Sequence, residues 1–444
     1  MTRTAIREQQ ARAIPPTTLL IKHLLFLLAL AAPLAALAQA TPTPNRLDGS
    51  GLSPNAAQLP APGRYGETEV DILGSYYQQN GDHSAVEGGI GSQHLTDTAP
   101  TILLNVPLDS TTRLAANVGI DYYTSASSDK IDQVMSSPSS HDARYHADFG
   151  LARVLADKLT TVGLGAGVSK EYDYLSFNLL ASWARASQDG NRQLSVSGQA
   201  FLDKITLITP AELRVGGTRN KNYGSDNRQS FTLSVVYAQV LTKRLQASIS
   251  IEPVVQRGLL STPFQRVYFF DSNPALGTPG ALGTAQAEVL PRLRYKYPAS
   301  LRLTYYATDL VQLRGFYRFY NDNFGIRAHT FELEVPVKVT PFFTLYPFYR
   351  YHTQTAADYF APYLQHSVRE EYFTSDFDLS AFSANKLGLG FRYAPLYGLG
   401  RFKTPFGGGR ITKFKSLDVR YGYYRQSTGL TANIVSANLA FTMP

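Results

Sequence analysis

Between Tyr297 and His352 apolar and polar residues alternate almost without interruption, a period of two that suits strands and not helices. Phe331, Leu333, Val335, Val337 and Val339 fall on one face of such a strand, with Glu332, Glu334, Pro336 and Lys338 on the other. Upstream, Leu301, Leu303 and Tyr305 alternate with Arg302 and Thr304. After a break of only Ala307 to Leu310, the residues Val311, Leu313, Gly315, Tyr317 and Phe319 alternate with Arg314 and Arg318. Long strands joined by such short breaks make an antiparallel meander, which Phe343 to Tyr351 extends. Alternating segments of about ten residues, with Tyr and Phe on the apolar face, are the signature of strands that cross a membrane as a closed barrel.

Composition points the same way. Tyr 28 and Phe 24 stand against a single Trp, and hydrophobic residues make up 44%, too few for helical spans but suited to strands apolar on one face. No run after residue 38 approaches the roughly twenty apolar residues that a helical span needs. The absence of cysteine excludes disulfides and thiolate metal sites. The net charge of +8 would suit anionic lipid or nucleic acid, and nucleic acid is not expected, because Lys and Arg are scattered along strands and loops. At the N-terminus, Arg3, Arg7, Arg12 and Lys22 precede the apolar run Leu24 to Leu37, and Ala36-Leu37-Ala38 stands before Gln39. This pattern predicts a signal peptide over residues 1–38, a mature chain starting near Gln39, and export to a Gram-negative envelope. Residues 39–66, with five prolines and no periodicity, read as a flexible periplasmic tail, and residues 67–444 as the barrel.

From Glu67 the alternation resumes at Val70 and Ile72. It returns at Ile102 to Val106, Leu114 to Tyr122, Tyr145 to Leu151, Val162 to Val168, Leu175 to Trp183, Leu194 to Leu202, Phe231 to Tyr237 and Leu245 to Ile251. The four strands already described follow, then Leu387 to Tyr393, Leu417 to Tyr423 and Val435 to Phe441. The sum predicts an all-β fold, a transmembrane antiparallel up-and-down β-barrel of about sixteen strands, bounded by fourteen and eighteen. Connections should then be short on the side of the termini and long outside. Pro107 to Thr112, Leu155 to Lys158, Gln188 to Asn191, Thr242 to Arg244, Ala307 to Leu310 and Thr340 to Phe342 are short, whereas Gln79 to Thr98, Ser125 to Asp142, Asp203 to Arg228, Arg257 to Val289 and Thr353 to Ala384 are long. Pro395 to Thr412, long but on the periplasmic side, is the exception. Phe441, three residues inside the end, is expected to be the assembly signal read by the barrel-assembly machinery.

The run Gly81-Asp82-His83-Ser84-Ala85-Val86-Glu87-Gly88-Gly89-Ile90-Gly91, with Leu95-Thr96-Asp97, Val106-Pro107-Leu108-Asp109 and Tyr123-Thr124-Ser125-Ala126-Ser127-Ser128-Asp129-Lys130-Ile131-Asp132, resembles the bacterial family known only as domain of unknown function 3570. The resemblance covers the mature chain and implies an outer-membrane barrel. It brings no catalytic or ligand residues that could be placed on this sequence. It also implies, as a hint only, a redox setting, since family members sit near thioredoxin-like and flavin-transferase proteins of the envelope.

Gly163, Gly165 and Gly167 alternate with Leu164, Ala166 and Val168, which suits a strand face and not a phosphate loop, where a helix must follow the glycines. Asp82, His83, Glu87, His94 and Asp97 in one loop, with Asp129, Asp132, His141 and Asp142 in the next, offer metal-type ligands in no defined spacing, so solvated loop acids are the plainer reading. No nucleophile elbow and no paired zinc histidines occur, so no enzyme, cofactor or metal is expected. A catalytic triad assembled across strands stays open as an alternative.

The charges that alternation turns inward carry more. Glu69, Asp71, Asp121 and Asp148 share the inward parity, with Arg113 and Arg144 nearby, and give the first four strands an acidic wall. Arg302, Arg314, Arg318, Lys338, Arg350, Lys386, Arg392 and Arg420 form a basic wall on later strands, with only Glu332, Glu334 and Asp418 to offset them. An open pore crossed by a field and a closed, ion-paired interior both fit. The expectation is a porin-like channel in outer-membrane lipid for small polar or anionic solutes, with long surface loops controlling access. The alternative is a non-conducting barrel that anchors periplasmic or surface protein partners, with a barrel enzyme third. A soluble sandwich or propeller is disfavoured by the aromatic outward faces.

Overall fold

The computed structural model describes residues 67–124, 141–214, 223–271, 285–403 and 411–443. The expected signal peptide and proline-rich tail lie outside the described residues. Sixteen strands close into one antiparallel barrel. They are β1 (Thr68–Asn80), β2 (Leu95–Thr98 and Thr101–Pro107), β3 (Thr112–Thr124), β4 (His141–Val154), β5 (Thr160–Lys170), β6 (Tyr174–Ala186), β7 (Arg192–Thr206) and β8 (Ser225–Thr242). The second half comprises β9 (Leu245–Ile251 and Val254–Gly258), β10 (Leu293–Lys296 and Ala299–Tyr306), β11 (Gln312–Asn321), β12 (Arg327–Glu334 and Val337–Lys338), β13 (Phe343–Gln354), β14 (Phe382–Tyr393), β15 (Ile411–Gln426) and β16 (Thr431–Met443). Each strand pairs with its chain neighbours, and β1 zips to β16 from Thr68↔Met443 to Asn80↔Thr431, so the barrel closes. The four interrupted strands break at Pro100, Pro253, Pro298 and Pro336, where proline has no N–H to give to the ladder.

The periplasmic turns have a common chemistry. Asp109 accepts from the amides of Thr111 and Thr112, Asp157 from those of Leu159 and Thr160, and Asp189 from that of Asn191. Thr308 and Thr340 hydroxyls do the same for Leu310, Val311, Phe342 and Phe343. A short side-chain acceptor mimics the backbone and tightens the turn. The Thr111 amide at Asp109, and the Ser187 hydroxyl followed by the Asn191 side chain at Asp189, hold these two carboxyls at about 2, well below their usual range. The long periplasmic connection contains a further strand, Gly400–Lys403, folded back on the start of β15, so the strand count needs no revision there. Three outer connections, Glu171–Asp173, Asp322–Ile326 and Ser427–Leu430, are short.

Parity is uniform around the ring. Phe149, Leu164, Phe177, Leu179, Phe231, Ile249, Phe331 and Leu387 are exposed on the outward face, Leu164 to 70%. Such a continuous apolar band is costly in water and favourable in hydrocarbon. Ladder partners inside are mostly Ser, Thr, Gly, Asn and charged residues, with rings such as Phe316, Tyr346 and Phe348 among them. Along β5, Gly163, Gly165 and Gly167 face inward, and a Cβ at Gly167 would sit 1.9 Å from Asp148 Oδ1, so the glycine makes room for the Asn178–Asp148 hydrogen bond of 2.7 Å.

Candidate functional site

The register puts every charge assigned to the lumen on the inward parity. Arg302 pairs with Phe316, Arg314 with Glu334, Glu332 with Arg350, Arg350 with Lys386, Lys338 with Thr344, Thr344 with Arg392 and Arg420 with Gly390; Arg318 occupies the same face of β11. Glu69 and Asp71 lie inward on β1, Asp121 on β3 and Asp148 on β4. Exposure separates these groups along the barrel axis. Arg302, Arg314, Lys338 and Arg392, together with Lys413 and Lys415, are exposed in the periplasmic half. Toward the outside, Arg318 is 8% exposed and Arg294 is clamped on the buried Asp322. The periplasmic half is therefore a wet, basic vestibule, and the outer half is packed.

The acids do not form a continuous wall against it. Arg144 seals Asp121 at 2.6 Å, Asn178 binds Asp148, and Lys415 stands 3.7 Å from Glu69, so the acidic strands meet the basic ones next to the β1/β16 seam. Much of the wall between is neutral and small, with Ser176, Ser182, Ser195, Ser197, Ser230 and Thr232 on the inward parity. The basic wall is itself organised by one acid. Glu334 accepts from Arg314 at 2.8 Å and from Arg420, three strands away, while the Arg420 guanidinium lies 5.1 and 4.9 Å above the rings of Tyr346 and Phe348. Those rings lie flat because β14 offers glycines beneath them: a Cβ at Gly388 would meet Phe348 at 2.2 Å, and one at Gly390 would meet Tyr346 at 2.0 Å.

Over the outer mouth the loops form a packed cap, for which no periodicity gave notice. Arg266, from the β9–β10 connection, holds Glu212 of the β7–β8 connection through two hydrogen bonds of 2.6 and 3.2 Å. Its third reaches Val86 O of the β1–β2 connection at 2.9 Å. Strands β1 and β9 stand on opposite sides of a sixteen-stranded ring, so this one side chain bridges the mouth. The β1–β2 loop fits under it through Gly88 and Gly89, with φ of 77° and 86°; a Cβ at Gly89 would lie 2.8 Å from Ser375 O. Val267, Phe269 and Phe373 give the cap a core. Buried His366 meets Glu370 at 2.6 Å and Thr374 O at 2.9 Å, so both ring nitrogens face acceptors. Glu288, 5% exposed, accepts from Thr262 N at 2.7 Å and from Thr374 Oγ1 at 2.5 Å, joining two loops. Burial, with Asp376 nearby, pushes its carboxyl up to about 8.

The loop residues considered as metal ligands are dispersed. His83 stacks on Phe377 at 3.8 Å and bonds Gly89 O, Glu87 is buried in the cap, Asp97 turns inward on β2, and Asp82 and His94 are exposed. Asp129 and Asp132 lie outside the described residues. Among the described residues, Asp142 instead meets Glu171 and Asp173 within 4.8 Å. Phe441 faces outward, stacked on Phe414 at 4.9 Å with Phe402 edge-on.

A closed antiparallel barrel, apolar outside and polar within, is a transmembrane barrel of the outer-membrane type. The chain belongs to the family described as protein of unknown function DUF3570, whose model matches residues 49–434. No curated protein matches it in sequence. Solved structures of similar shape include the ferric enterobactin receptor PfeA of Pseudomonas aeruginosa, 13% identical with a TM-score of 0.41, covering 80% of this chain and 53% of that one. A bacterial polysaccharide outer membrane secretin is 9% identical with a TM-score of 0.40, over 85% and 97% of the two chains. The monoaromatic hydrocarbon channel TodX is 10% identical with a TM-score of 0.37, over 85% and 90%. The chain spans about half the length of the receptor.

Proposed function

We propose that this protein is exported through a cleaved signal peptide, inserted into the Gram-negative outer membrane by the barrel-assembly machinery acting on Phe441, and passes small polar or anionic solutes. It acts as a selective passage and not as an enzyme. The observation that carries this reading is the charge imbalance on β10 to β15, where the eight inward Arg and Lys from Arg302 to Arg420, joined by Lys413 and Lys415, outnumber the inward acids Glu332, Glu334 and Asp418. In a confined, wet space such an excess raises the local concentration of anions. The cap then controls access from outside. A second reading, a non-conducting barrel that anchors envelope partners, draws support from the Arg266 bridge across the mouth.

Purified protein in planar bilayers separates them. Anion preference in a potassium chloride gradient is expected, and Arg314→Glu, at a side chain 51% exposed, should move the reversal potential toward cations. Well-folded protein that conducts nothing would remove the passage reading and leave the anchor.

A further inference from the structure

The vestibule is not evenly charged, and two of its exposed cations share one row of the sheet. Lys338 on β12 and Arg392 on β14 both pair with Thr344 on β13, so they stand on either side of it, about 10 Å apart at Cα for strands spaced by about 4.8 Å. Both are exposed, and among the described residues neither has an acid within ion-pair distance. The nearest acid in the row, Asp418, pairs by register with Arg392 but accepts the Tyr346 hydroxyl. Arg302, on the same wall, is stacked on Phe316 at 4.9 Å. Glu334, by contrast, already has two arginines. Two exposed cations on the strands that flank a hydroxyl, in a lumen bridged by loops at one end, suit an anion with charge at both of its ends.

We propose that Lys338, Thr344 and Arg392 form a binding site for small multivalent anions of the polycarboxylate or phosphate class, loaded from the periplasmic side. The inference rests on the reading of the barrel as an anion passage and gives it a substrate class and a direction. A single charge would neutralise one end of the row and leave the other. A citrate or a diphosphate spans both and accepts from Lys338 Nζ, the Arg392 guanidinium and Thr344 Oγ1.

The absence of cysteine allows a direct test, since Thr344→Cys supplies the single thiol of the full chain. With purified variant in detergent, a negatively charged methanethiosulfonate reagent should react at least tenfold faster than its positively charged counterpart. Citrate should slow it saturably, where chloride at equal ionic strength does not. Adding Lys338→Gln and Arg392→Gln should abolish both effects. In intact outer membranes a bulky polymer-linked maleimide should reach Cys introduced at 344 only from the periplasmic face. As a measurement independent of the cysteine, citrate should raise the unfolding temperature of the wild type and not that of the double Gln variant. Equal rates for the two reagents, no protection by citrate, or labelling from outside would overturn the proposal. These readouts need no conductance, so failure of the site and failure of the passage are told apart.

Discussion

Glu288 makes the cap sensitive to alkali, and the size of the effect can be worked out. In an opened loop its carboxyl titrates near 4.5, and in the closed cap near 8. Below pH 4.5 both states hold the proton and closure loses nothing. Between 4.5 and 8 the open state releases the proton first, so stability of the closed cap drains away as pH rises, and above 8 the loss is complete. The gap of about 3.5 pH, at about 1.4 kcal/mol for each, amounts to about 5 kcal/mol, or about three and a half decades in the opening equilibrium. The hydrogen bonds from Thr262 N and Thr374 Oγ1 are already part of that balance, because they are what the carboxylate keeps when it ionises. Glu288→Gln keeps the shape and an acceptor but cannot ionise. Proteinase K digestion of the folded barrel, wild type beside variant at each pH, cancels the protease's own dependence. At pH 5 the two should lose the 259–292 and 355–381 segments at similar rates, and at pH 9 the wild type should lose them at least tenfold faster. The same ratio at both pH values would refute the argument.

Gly390→Val places a branched side chain where Tyr346 lies and should lower the heat-modification midpoint by the equivalent of about 1–3 kcal/mol, while Gly198→Ala, with nothing within 4 Å, should not. Phe441→Asp removes the ring stacked on Phe414 and should leave unfolded, proteolysed chain in the periplasm; normal levels of folded barrel would show that assembly does not read this residue. Arg318→Glu differs from Arg314→Glu: it buries a second carboxyl beside Glu252 in the packed half and should reduce the yield of folded barrel rather than change selectivity, as measured by gel mobility without heating.

Alternation is a local property, and it determined a great deal. The sixteen strands, the parity of Arg302 through Arg420, the glycine face of β5 and the side of each turn are all legible because side chains repeat every two residues whatever the rest of the chain does. The short turns are legible from their length alone; that Asp109, Thr308 and Thr340 cap them by accepting from amides within three positions is seen only in the structure. Parity gave a direction for each charge but no partner. That Glu334 would be shared by Arg314 and Arg420, or that Arg144 would take Asp121, depended on ring closure and shear, which set which residues share a level. The cap is the extreme case. Arg266 and Val86 are 180 residues apart, the loops that carry them have no period, and their contact exists only because the closed barrel brings opposite rims within reach of one guanidinium.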